Sequence, residues 1–145
     1  MYKRQAPTSS VFTLGTISDT NEGSGVTYIA YLWAGVQGYS KFGSYLGNGD
    51  ADGTFVYTGF RPAFIMLKNT GSSSSTAWRI WDTKRNPGNP TNYWWDANSA
   101  DEGSSSSVDI DILSNGFKPR VNQVSVNSSD EVHVYAAFAL SLIHI

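Results

Sequence analysis

Val108-Asp-Ile-Asp-Ile-Leu113 alternates apolar and acidic side chains and runs directly into Ser114-Asn-Gly-Phe117. In an extended chain successive side chains point to opposite faces, so Val108, Ile110 and Ile112 share one side and Asp109 and Asp111 the other. A helix would scatter the same residues around its circumference. Such a strand covers a core with one face and meets water with the other. Asn-Gly is the dipeptide that best suits the positive φ angles of a type I′ turn, so 108–113 and 117–121 are expected to form a β-hairpin. Pro119 has no amide donor, which predicts an edge or a bulge at that point of the second strand.

Other segments point the same way. Thr54–Thr58, Ala63–Lys68, Ala77–Trp81 and Val132–Ala139 read as strands, and Thr27–Ala34, apolar on both faces, suits a central strand. Between them lie the serine runs 72–75 and 104–107 and the turn-rich Asn86-Pro-Gly-Asn-Pro90. Helical periodicity is confined to a short stretch around Asn98–Glu102. The expected fold is therefore an all-β antiparallel β-sandwich, of jelly-roll or lectin-like type, with little helix. Cysteine is absent, so neither disulfides nor thiolate metal sites hold it together.

One internal repeat bears on domain organisation. Val11–Ala34 matches Gly116–Ala139, with Phe12 against Phe117, Asn21 against Asn127, Ile29 against Val134, Trp33 against Phe138 and Ala34 against Ala139. The spacing is about a domain length, which suggests tandem domains and not a solenoid. On this reading residues 6–38 are the closing hairpin of a preceding module, or N-terminal strands of this one, and 39–139 form one nearly whole β-sandwich module.

Gly38-Tyr-Ser-Lys-Phe-Gly-Ser-Tyr-Leu-Gly-Asn-Gly49, Asp52-Gly53 and Phe55-Val-Tyr-Thr-Gly-Phe-Arg-Pro-Ala-Phe64 are distinctive. With Trp78-Arg-Ile-Trp-Asp82, Arg85, Asn98, Glu102, Leu113–Phe117 and Tyr135–Ala139, they resemble an uncharacterised domain family. That family recurs in tail-fibre-like and other virion-associated proteins of marine bacteriophages. The resemblance covers roughly residues 28–139 and implies a virion or extracellular setting, without any catalytic residues to transfer. Members commonly continue past the Ala-Phe-Ala strand with an acidic residue and Pro-Phe. Here Leu140–Ile145 follows, a translation of transposase-adapter DNA, and Met1–Gln5 reads as the same adapter in the opposite orientation. Both ends, 1–5 and 140–145, are expected to be artefacts. Without Lys3 and Arg4, eight basic residues remain against twelve acidic ones. That balance argues against nucleic acid, which needs clustered cations. The nearest cluster, Arg79, Lys84 and Arg85, has Asp82 among it.

The candidate sites are few. Asn48, Asp50 and Asp52, with Gly53 next, open like a calcium loop, but the closing bidentate position falls on Gly59. A tight turn is the expected reading, with no cofactor. His133 has no Gly-x-Ser-x-Gly elbow to serve, and is expected to be a half-exposed structural residue. Asp109 and Asp111, roughly 7 Å apart by strand rise, share a spacing with glycosidase carboxylates, but solvated strand carboxylates are the ordinary explanation. Tyr93-Trp94-Trp95 is the best surface candidate. Strand alternation puts the two indoles on opposite faces, so one of them is expected to meet a sugar or a protein partner. Arg61, and Asp82 with Arg85, are assigned to turn-fixing hydrogen bonds and ion pairs.

These readings favour a non-enzymatic structural module of a phage tail or fibre protein. Its partners would be other virion subunits or neighbouring domains of the same chain, with no nucleic acid and no membrane. The alternatives are a carbohydrate-binding adhesion module that contacts a surface glycan and, more remotely, a fragment of a glycan-degrading tailspike.

Overall fold

The computed structural model describes residues 8, 10–23, 25–71, 76–100, 103–105 and 108–141 of the 145-residue chain. Expectations that concern residues 1–5, the serines at 72–75, 106 and 107, Glu102, and residues 142–145 lie outside those described. The chain divides into two units, Met1–Trp33 and Ala34–Ile145.

The first unit holds one short helix, α1 (Ser18–Asn21), followed among the described residues by chain without regular secondary structure. Tyr28 ties the two together: its hydroxyl donates to the Ser18 carbonyl at 2.6 Å and accepts from the Glu22 amide at 3.0 Å. Residues 26–32 lie in no sheet, contrary to the central strand that their apolar run suggests.

The second unit contains β1 (Ser40–Leu46), β2 (Val56–Tyr57), β3 (Phe64–Asn69), β4 (Arg79–Asp82), β5 (Trp95–Asp96), β6 (Ile110–Leu113), β7 (Gly116–Pro119), the single-turn helix α2 (Val124–Asn127) and β8 (Val132–Phe138). They form a five-stranded sheet, β1-β8-β3-β4-β5, and a three-stranded sheet, β2-β7-β6. Every pairing is antiparallel. The molecule is thus an all-β antiparallel sandwich.

Period-two patterning explains the core. Ile65 and Leu67 of β3, Tyr135 and Ala137 of β8, and Tyr45 and Trp81 face inward from the large sheet; Ile110, Ile112, Phe117 and Val56 meet them from the small one. Phe117 is the wedge between the layers. It is fully buried, with edge-on contacts to Tyr45 (centroids 6.1 Å apart) and Tyr135 (5.4 Å). On the outer face of β8, Phe138 meets Tyr39, Phe42 and Phe64 edge-on.

The expected hairpin exists as β6–β7, but its turn lies one residue earlier than Asn-Gly suggests. Leu113 pairs with Gly116, leaving Ser114 and Asn115 at the tip, and neither Asn115 nor Gly116 has a positive φ. Glycine at 116 answers a different need: a Cβ there would lie 2.1 Å from the Val56 carbonyl oxygen on β2. The edge expected at Pro119 is local. β7 is central at Gly116 and Phe117, but β2 has ended before Pro119, whose carbonyl accepts from the Gly53 amide at 3.1 Å. On the other flank Asn89 imitates a strand, donating to the Ile112 carbonyl and accepting from its amide, both at 3.0 Å. This covers an edge that would otherwise offer free backbone groups.

Candidate functional site

The Asn48–Gly53 loop lies across the segment from Asn127 to Glu131. Asn127 is the clamp: its side-chain oxygen accepts from the Asn48 amide, and its Nδ2 donates to Asn48 Oδ1 at 2.8 Å and to the Asp50 carbonyl at 2.7 Å. Asn48 Oδ1 also accepts from the Asp50 amide, and Asp50 Oδ1 accepts from the Asp52 amide at 2.8 Å. These are side-chain-to-backbone turns of the kind that Asn and Asp favour. The Asp52 carboxylate turns to the outer face of the small sheet, 2.7 Å from Lys118 Nζ and 2.8 Å from Arg120 Nη1. Hydrogen bonding to Lys118, with the charges of both cations, holds its carboxyl below the usual range. Within this turn Asn48 Oδ1 and Asp50 Oδ1 accept from amides, and Asp52 Oδ1 faces the two cations. Among the described residues no group of three or more His, Cys, Asp or Glu is placed to hold a metal.

The one carboxylate of β6, Asp111, joins the same outer face. Asp111 stands opposite Lys118 across the hairpin and lies 3.5 Å from Arg120 Nε. Cations interleave with carboxylates here, whereas a glycosidase needs a carboxyl pair facing a substrate groove.

Tyr93, Trp94 and Trp95 enter and begin β5, and all three are half-buried. The indoles do face opposite ways. Trp94 packs against the hydrophobic core, with the Arg79 guanidinium 3.9 Å over its ring. Trp95 carries the Arg85 guanidinium at the same distance. Asp82 orients Arg85: one of its oxygens accepts from the Lys84 and Arg85 amides at 2.8 Å, and the other lies 3.4 Å from Arg85 Nε. Arg61 donates to the Ile112 carbonyl at 3.4 Å, a contact with strand β6 and not with a turn. Burial lowers the Arg79 pKa, and Asp96, 3.8 Å away, opposes that shift. Arg85 and Tyr93 also line an open hollow of about 440 Å³.

The family model for a domain of unknown function, DUF7483, matches residues 1–141. The chain belongs to this family. Comparison with curated proteins and with solved structures finds no match.

For this DUF7483 domain, the alternation argument at Trp94 and Trp95 becomes a directed prediction. Trp94→Ala removes core packing and should cost about 2 kcal/mol, while Trp95→Ala removes an exposed-side cation–π contact and should cost about 1 kcal/mol or less. Urea midpoints of the two variants check the order.

His133 departs from the half-exposed role expected of it. It is fully buried, stacked on Tyr45 with centroids 5.1 Å apart, and its Nδ1–H donates to the Glu131 carbonyl at 3.0 Å. Burial lowers its pKa against the opposing pull of the Glu131 and Val124 carbonyls and the Glu131 carboxylate. The unfolded chain then binds a proton that the folded chain refuses, from about pH 6.5 downward to the depressed folded value. Stability is full above that window and falls as pH drops through it. Thermal melts between pH 8 and 5 should show the fall, and His133→Asn should flatten it. The contribution of Asp52 has the carboxylate sign and disappears only at lower pH, below its unfolded value near 3.8.

Lys118 and Arg120 were not among the residues selected from sequence, and Asn127 entered only through the internal repeat. No local signal marks them, because each acts on a loop far away in the chain.

Proposed function

We propose that this DUF7483 domain is a non-enzymatic structural module of a phage tail, fibre or similar virion-associated protein, serving assembly or spacing. The observation that carries the reading is how its distinctive residues are engaged. Gly47 and Gly53 sit where a Cβ would meet the backbone of another segment at 2.1 and 2.5 Å. Tyr45 donates its hydroxyl to the Val126 carbonyl, and Asn48 is held by Asn127. Three rings of the second unit face cations of the same chain: Lys41 over Tyr57 at 5.0 Å, Arg79 over Trp94, and Arg85 over Trp95. The segment that resembles virion-associated domains is thus devoted to closing a rigid sandwich, which suits a spacer. Antibodies raised against residues 39–139 should decorate tails or fibres of the particle that the full-length gene helps to build. Particles that lack the epitope altogether would overturn the proposal.

The hollow beside Arg85 and Tyr93 favours a second reading, a carbohydrate-binding adhesion module. Sugars stack on aromatic faces and accept hydrogen bonds from guanidinium groups. A glycan ligand whose binding depends on Tyr93 and Arg85 would support this reading over the first.

A further inference from the structure

The first unit contains a second copy of the piece that closes the sandwich. In the second unit that piece is β7–α2–β8: Phe117 wedges the layers, Asn127 clamps the loop, and β8 lies between β1 and β3. The sequence match of Val11–Ala34 to Gly116–Ala139 is joined by an independent structural match. α1 and α2 are both four-residue helices. In α1 the Thr20 and Asn21 amides donate to the Ile17 carbonyl at 3.1 and 2.8 Å; in α2 the Val126 and Asn127 amides donate to the Gln123 carbonyl at 3.0 and 2.8 Å. The residues preceding both helices, and those following, are extended. The two helical turns align with Ile17 on Gln123 and Asn21 on Asn127, and the stretch between Phe12 and Ile17 is one residue shorter than that between Phe117 and Gln123. The linker that follows is one residue longer in the first copy, and then Thr27–Ala34 falls on Val132–Ala139.

That last stretch has the character of β8. The inward positions of β8 are His133, Tyr135 and Ala137, and their counterparts are Tyr28, Ala30 and Leu32. The outward counterparts, Ile29, Tyr31 and Trp33, are all apolar or aromatic, as Val134, Ala136 and Phe138 are. By itself the first unit buries none of them: Ile29 is 82% exposed, Tyr31 74% and Leu32 73%. A strand apolar on both faces needs a neighbour on each edge and a covering sheet. The second unit cannot supply that position, because residues 132–138 already fill it.

We infer that residues 11–34 are the closing segment of a preceding copy of this domain in the same polypeptide, with 27–34 seated as its central strand between the counterparts of β1 and β3. This copy relation is independent of what the module does. Fusing residues 35–115 of this sequence ahead of residue 11 restores the missing frame, since the preceding copy then reads 35–115 followed by 11–34. In the fused chain the amides of Ile29 and Tyr31 should become protected from hydrogen exchange by at least a hundredfold relative to the present chain. Ala30→Asp should abolish that protection and leave the amides of β8 unchanged. Equal exchange at Ile29 and Tyr31 in both chains would overturn the inference. A second measurement does not depend on the fusion folding: deleting residues 8–33, which span the described residues of the first unit, from the present chain should leave its melting temperature within about 2 °C. A fall of many degrees would mean that the segment completes this module and not another.

Discussion

Phe117→Ala should destabilise the domain by about 3–5 kcal/mol, the range found when a buried Phe is cut to Ala in a packed core. Phe117 is fully buried, and its ring separates Tyr45 and Tyr135, so two aromatic neighbours lose their packing partner together. Both neighbours are constrained against collapsing into the gap. The Tyr45 hydroxyl is tied to the Val126 carbonyl, and Tyr135 lies on a strand laddered on both sides, to β1 and to β3. A loss of this size is a large share of the roughly 5–15 kcal/mol that holds a typical domain folded. Phe117→Leu keeps much of the volume and should recover more than half of it. Urea unfolding followed by tryptophan fluorescence measures both. A cost below about 1 kcal/mol for Phe117→Ala would mean that the two sheets do not close on this ring.

Gly47→Ala should cost about 2–4 kcal/mol, although it adds a single methyl group to an exposed-looking loop. A Cβ at 47 would lie 2.1 Å from the Ser128 carbonyl oxygen and 2.9 Å from the Asn127 carbonyl carbon. These are backbone atoms, which cannot rotate away. Relief requires the 47–53 loop and the 127–131 segment to separate. That stretches the bonds by which the Gly47 amide donates to the Glu131 carbonyl and the Asp130 amide donates to the Gly47 carbonyl, both 3.0 Å. Overpacking and two weakened hydrogen bonds together give the estimate. Gly88 supplies the contrast: nothing lies within 4 Å of its would-be Cβ, so Gly88→Ala should be neutral or slightly stabilising. Comparable melting temperatures for the two variants would contradict the close approach of the two loops.

What could be read from sequence follows the range of each signal. The alternation at 108–113 was legible because burial has period two within one strand, and the observed order places Val108, Ile110 and Ile112 inside and Asp109 and Asp111 half-exposed. The opposed faces of Trp94 and Trp95 were legible for the same reason. Which of them points to the core was not, since Arg79 and Arg85 choose the covered faces from outside the local pattern. The turn at 114–115 shows a motif overridden: Asn115-Gly116 suits a type I′ turn, but the approach of β2 to Gly116 dictates the glycine. α2 escaped notice because a single helical turn shows no periodicity. His133 was expected to be half-exposed, and the structure buries it fully. Its stacking on Tyr45 depends on β1 pairing with β8, a contact between opposite ends of the module. Apolar pattern alone marked 27–34 as a strand; pattern cannot say which frame receives it.

The central proposal is that the distinctive residues of this DUF7483 domain serve its fold and that Trp95, with Arg85 over its ring, is not a ligand platform. A glycan array probed in parallel with the native chain and with Trp95→Ala tests it most directly, with melting temperatures taken on the same preparations. The account predicts no saturable binding by either protein. Saturable binding of one glycan class by the native chain, lost in Trp95→Ala at an unchanged melting temperature, would contradict it.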